Sequence, residues 1–154
     1  MLELATRKVL KKSITSTLFV VLNANSILYC HWKSNEHLEG SMQGLMDLVV
    51  LFAASQKERV EAILLQLGFK KFNAIPQKRY KDIVDFLIVD PVSGRLIHLH
   101  THYRLTMGKP YLKGYQFTTN IEQGILAARV YNESYGLFCL DPDIELVLLF
   151  FPGW

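Results

Sequence analysis

Three of the chain's five histidines fall in one run, His98-Leu99-His100-Thr101-His102. On an extended strand alternate side chains point to one face, so the three imidazoles share a side. Neighbours two apart sit roughly 6.5–7 Å apart at Cα, near enough for two of them to hold one metal ion. The alternative is a polar strand face hydrogen-bonded to nearby carboxylates. The run matches neither HExxH, whose spacing is helical, nor HxHxDH, which needs an aspartate before its last histidine. Neither cysteine lies near it, so a structural Cys–His zinc site is not expected. A second feature is Asp47, which opens an apolar run. A carboxylate there is costly unless it is paired, metal-bound or exposed at the strand end. The third is His31-Trp32-Lys33-Ser34-Asn35, a lysine and two small hydrogen-bonding residues after a short apolar stretch. Such a loop holds an anion at a helix N-terminus or is a plain surface turn.

Elements of both periods must position these groups. The spacing predicts a first, amphipathic helix over about Leu4 to Leu22. A short strand or extended entry follows at Ile27 to Trp32, with Ser34 or Asn35 capping a short helix through His37 and Leu38. Leu45 to Ala53 reads as a central strand buried on both faces. Val60, Ile63, Leu64 and Leu67 follow helical spacing from Gln56 to Leu67, stopped by Gly68. Ile83 to Val89 and Arg95 to Arg104 read as a β-hairpin around Asp90-Pro91-Val92-Ser93-Gly94. Thr119 and Glu122 form a capping box for a helix near Asn120 to Arg129. Asp141-Pro142 opens a last helix, with acids in its first turn. Helix, strand, helix, hairpin, helices: this order predicts an α+β sandwich around a mixed sheet.

Composition narrows the class. With 154 residues, half of them hydrophobic and 20% charged, the chain makes one domain with a substantial core and is not disordered. An (α/β)₈ barrel needs about 250 residues and is excluded. Scattered basic residues and a net charge of +3 do not argue for nucleic acid. Ser13, Thr15, Ser16 and Thr17 interrupt the apolar stretch behind the basic N-terminus, which therefore reads as a helix and not a leader. No run approaches the ~18 apolar residues of a membrane span, so a soluble protein is expected. Cys30 and Cys139 fit no disulfide framework, which makes a reducing cytoplasm the default location.

Taken in order, several segments resemble the nucleotidyltransferase-fold superfamily, that of the DNA polymerase beta palm. They are Tyr29 to Asn35, Gly44-x-x-Asp47-Leu48-Val49, Leu67 to Lys70, Asp85-Phe86-Leu87, His98 to Leu105, Gly108 and Asp141 to Leu146. The likeness is in particular to bacterial nucleotidyltransferase-like proteins associated with surface polysaccharide synthesis. It implies metal-dependent transfer from a nucleoside triphosphate to a small acceptor such as a sugar or sugar phosphate. In that superfamily a Gly-Ser pair precedes a strand carrying Asp-x-Asp, whose carboxylates hold the divalent ions. The resemblance places Asp47 at the second aspartate and Leu45 at the first, and Gly40-Ser41 is a shifted Gly-Ser match. The third carboxylate position falls on Asp85 or on an imidazole of His98 to His102.

The roles so implied are catalysis by Asp47 and His100 and nucleotide binding by Lys33, Ser34, Asn35 and Ser41. Asp47, His98, His100 and His102 would bind a divalent ion, magnesium, manganese or zinc. Imidazoles suit zinc, manganese or nickel better than magnesium, a hard ion that prefers oxygen. Leu45 cannot bind metal, so two other readings stand beside the enzyme. One is a catalytically degenerate binding module, the other a small transition-metal-binding protein. In the proteins it resembles the chain continues further, so a C-terminal helical region is expected to be missing. Leu146 to Phe151, apolar all round, is expected to pack in the core on one side and to leave on the other a strip suited to a homodimer or another partner.

Overall fold

The computed structural model describes residues 12–108 and 114–151. It is an α+β sandwich, a mixed seven-stranded sheet with helices packed on it. The elements run α1 (Ile14–Ala24), β1 (Tyr29–His31), α2 (Leu38–Met42), β2 (Leu48–Phe52), α3 (Lys57–Gln66) and β3 (Lys70–Phe72). Then come β4 (Ile83–Val89), β5 (Leu96–His102), β6 (Thr106–Met107), β7 (Tyr115–Gln116), α4 (Thr119–Ala127), β8 (Val130–Asn132), β9 (Leu137–Cys139) and α5 (Pro142–Leu148). The sheet order is β3-β4-β5-β2-β1-β9-β8, with β6 and β7 paired separately. Strands β2 and β5 run parallel at its centre, and β4 and β5 form the expected hairpin in a seven-pair register from Ile83↔His102 to Val89↔Leu96.

Alternation along the central strands splits the core in two. Leu48, Val50, Phe52, Phe86 and Leu99 face α1 and α3, where Leu18, Phe19, Leu22, Val60 and Leu64 meet them. Each such fully buried side chain contributes about 1.5–3 kcal/mol by leaving water. On the other face Cys30 and Leu51 pack with Ile125 and Leu126 of α4 and Leu148 of α5. That second cover is partial: Asp47, Asp85, His98 and His100 lie on the same face and keep part of their side-chain surface in solvent.

Several local expectations change. Helix α1 starts after Ser13, whose Oγ accepts from the Ser16 amide at 3.3 Å. Residues 4–11 of the expected first helix lie outside the described residues. Ser34 caps nothing through its side chain; it sits in the left-handed region at φ 59°, ahead of a short 3₁₀ turn over Asn35–His37. The capping box fails as well. Thr118 is the N-cap of α4, and Glu122 turns inward to Arg104 Nε at 2.8 Å and the Leu105 amide at 2.7 Å. A buried carboxylate goes where donors neutralise it, and the Arg104 guanidinium outcompetes a solvated helix end. Asp141 does cap α5, accepting from the Asp143 and Ile144 amides, with Pro142 at the first helical position. Helix α5 stops at Leu148, ahead of Phe150 and Phe151. Edge strand β3 and the β8–β9 hairpin were not expected. No helix among the described residues is long and apolar enough to cross a membrane.

Candidate metal centre

Three strands bring four side chains together. In the hairpin Asp85 lies directly across from His100. In the parallel pair Leu48 lies beside Leu99 and Val49 beside His100, which puts Asp47, one residue before β2, next to His98. Each carboxylate then touches both imidazoles. Asp47 Oδ1 lies 3.2 Å from His98 Nδ1, and Asp47 Oδ2 lies 3.1 Å from His100 Nε2. On the far side, Asp85 Oδ1 meets His98 Nε2 at 3.2 Å and His100 Nδ1 at 2.5 Å. The two rings stand 4.0 Å apart between centroids.

Two carboxylates facing two imidazoles shift all four groups toward their charged forms. Hydrogen bonds donated to Asp47 and Asp85 raise His98 to about 9, against some desolvation. Burial works against the charged form of His100, but the same two carboxylates still lift it above the ordinary imidazole value. Hydrogen bonds from His100 and His98 hold Asp47 well below the usual carboxylate range. Burial would raise Asp85, and the two imidazoles overcome it. Without metal the cluster is thus a near-neutral quartet, two imidazolium ions between two carboxylates.

The donor set fits a transition-metal ion. One ligand atom from each of Asp47, His98 and His100 lies within 4.8 Å of the others. Two imidazole nitrogens with one carboxylate suit zinc, manganese or iron better than magnesium. Asp85 completes the logic. If His98 Nε2 and His100 Nδ1 donate to Asp85, then His98 Nδ1 and His100 Nε2, the atoms facing Asp47, are free of protons for coordination.

The groups expected from sequence do not all arrive. Asp47, His100, His102, Lys33 and Ser34 border one cleft of about 270 Å³, with Trp32 and Thr106. His102 points to the same face as the other two histidines but lies 5% exposed under the Trp32 ring, outside the three-residue ligand group. Asn35 is occupied elsewhere: its Oδ1 lies 2.6 Å from His31 Nδ1 and its Nδ2 donates to Glu145 Oε2 at 3.2 Å. Ser41 is buried in α2 at 1% exposure and does not border the cleft. Leu45 is 63% exposed and precedes β2, so it does not share Asp47's strand face. The strand position that does is Val49. The thiols of Cys30 and Cys139 are pushed up to about 12 and about 11 by burial, which leaves them poor nucleophiles and ligands.

In the sequence Asp85 stands out only as one option for a third carboxylate. The signal was present in the hairpin count. Asp85 lies as far before Asp90 as His100 lies after Arg95, and the Asp90 amide donates to the Arg95 carbonyl at 2.8 Å to close the turn. No family model matches the chain, and neither the curated proteins nor the solved structures contain a significant match to it.

Proposed function

We propose that this chain is a metal-dependent nucleotidyltransferase-like protein that transfers a nucleotidyl group to a small acceptor such as a sugar or sugar phosphate. The observation that carries the reading is the quartet itself: Asp47 and Asp85 flank His98 and His100, and two of the four, Asp47 and His100, border one cleft with Lys33 and Ser34. Asp47, His98 and His100 would hold the ion, and Asp85 would keep both rings oriented and protonated on their far nitrogens. A bound divalent ion supplies charge neutralisation at the phosphates and a lowered pKa for the attacking hydroxyl. Lys33 and Ser34 meet the triphosphate. The acceptor oxygen bonds to the α-phosphorus, the bond to the bridging oxygen of pyrophosphate breaks, and the hydroxyl proton passes to water.

A second reading, a transition-metal-binding protein without catalysis, draws support from Val49. It occupies the face next to Asp47 where a second ligand carboxylate would stand. One series of measurements separates them. Titration with Mn²⁺ and Zn²⁺, then with ATP, then an assay for pyrophosphate release with sugars and sugar phosphates, covers all outcomes. ATP binding that needs the metal, followed by pyrophosphate release, supports the transferase. ATP binding without release supports a degenerate binding module. Metal uptake with no ATP affinity supports the metal-binding protein and overturns the first reading. The apolar C-terminal face supports a further proposal, a homodimer, because Leu148 is buried while Leu146, Val147, Leu149 and Phe150 are each more than half exposed.

A further inference from the structure

Strand β3 and the segment joining it to β4 concentrate positive charge that the chain as a whole lacks. Lys70, Lys71, Lys78, Arg79 and Lys81 fall within residues 70–81 with no acid among them, although the whole chain carries only +3. Lys71, Asn73, Lys78, Arg79 and Asp85 border a cavity of about 170 Å³ there. Lys71 is paired with Glu61 at 3.3 Å. Arg79 Nε donates to the Ala74 carbonyl at 2.8 Å, which holds the guanidinium against its own loop. Among the described residues no carboxylate lies within ion-pair distance of Lys78 or Arg79.

Asp85 is the wall shared with the metal centre. It borders this cavity, whereas Asp47 and His100 border the cleft with Lys33 and Ser34. The quartet therefore stands between two pockets of different character. We infer that the basic cavity takes the phosphate of a phosphomonoester acceptor, so that the metal centre lies between that acceptor and the nucleotide; this rests on the transferase reading above.

Charge and size both favour this ligand. A planar guanidinium beside an ammonium is the pairing that recognises phosphate oxygens. Whole-ligand pockets run to about 300–1,000 Å³, so a cavity this small holds one group of a ligand whose remainder lies outside it. Repulsion from Asp85 is muted, because both nearby imidazoles already pair with that carboxylate. Nucleic acid would call for a basic stripe along an extended surface, and here the charge lies on one short edge strand and the loop that follows it.

Glucose 1-phosphate, inorganic phosphate and glucose are titrated separately into the full chain while backbone amides are followed by NMR. Both phosphates should shift amides of residues 71–85, and glucose should not. The Lys78→Gln, Arg79→Gln double variant changes two exposed side chains and should weaken phosphate binding roughly ten- to hundredfold. Its Mn²⁺ affinity should be unchanged, and Arg79→Lys should recover part of the loss. Absence of phosphate-dependent shifts in the loop, or equal affinity in the double variant, overturns the inference. Tighter binding of a single-stranded oligonucleotide through the same loop also overturns it and assigns the surface to nucleic acid. The metal reading fails separately: loop shifts by phosphate in a protein that takes up no Mn²⁺ would sink that reading and leave this site standing.

Discussion

The four side chains of the quartet are not equivalent, and the difference is testable one residue at a time. Asp47 touches the nitrogens that would coordinate, and Asp85 touches the nitrogens that would carry protons. Asp85→Asn should therefore leave a metal site with misoriented rings, its Zn²⁺ affinity down by about 10–100-fold by calorimetry. Asp47→Asn removes a ligand and should cost more. Equal affinities for wild type and Asp85→Asn would show that Asp85 does not orient the rings. Position 49 offers the converse test. Val49 pairs with His100 on the site face of β2, so Val49→Asp adds a second oxygen donor. Mn²⁺ affinity should rise by roughly tenfold in a folded variant, whereas Leu45→Asp, on an exposed turn, should change nothing. The histidine run and Asp47 were legible from residue type and spacing alone. Which of the three histidines would be covered was not, because the burial of His102 depends on Trp32, distant in sequence and brought over it by the β1–β2 pairing. The placement of Leu45 failed for a local reason. A strand-face argument holds only inside the strand, and β2 begins at Leu48.

At the scale of elements, the β4–β5 hairpin positions most of the site and is itself tied to α1 by one carboxylate. Asp90 is 3% exposed, yet it accepts from the Ile14 amide at 2.9 Å and from the Ser93 amide and hydroxyl at 3.0 and 2.7 Å. Burial acts to raise its pKa, and those donors more than offset it, so the carboxyl stays below its ordinary value. A depressed carboxylate contributes stability above its unfolded pKa, about 3.9, and loses it as pH falls through the folded value. Asp90→Ala should destabilise the protein by about 1–3 kcal/mol at pH 7 in urea melts. The gap from wild type should shrink once the pH drops below about 4. A gap that is constant with pH would show that the charge on Asp90 contributes nothing. This hairpin was readable from sequence because its strands alternate cleanly around an Asp-Pro…Gly turn. The three-residue strands β3, β8 and β9 were not, since a strand that short shows little alternation. The β8–β9 turn did carry a signal in Gly136, at φ 71°. The capping box misled because Thr119 and Glu122 match its spacing while Arg104, far away in sequence, claims the glutamate.

For the molecule as a whole, two surfaces lead to measurements on the intact chain. Phe150 is 84% exposed beyond the end of α5, and Phe151 contacts Phe117 edge-on at 5.2 Å between centroids. If a second copy covers this face, light scattering should report a dimer that the Phe150→Glu, Phe151→Glu variant converts to monomer; a wild-type monomer at high concentration removes the proposal. The other surface is the candidate metal centre, whose proposed ligands span the middle of the sheet. Asp47 precedes β2 and both histidines sit on β5, while Asp85 braces them from β4. Unfolding must separate these strands, so an ion held by all of them opposes unfolding of the entire sheet and not of one loop. Binding that is confined to the folded state stabilises it by mass action, about 2.7 kcal/mol at a hundredfold excess over Kd. For a domain of this size that raises Tm by roughly 5–10 °C. Zn²⁺ should therefore shift a single cooperative melting transition upward, and a chelator should return it. Asp47→Asn should largely lose the shift. A shift equally large in that variant would place the ion elsewhere, and no shift in the wild type would mean that the quartet remains an ion-paired cluster of the sheet.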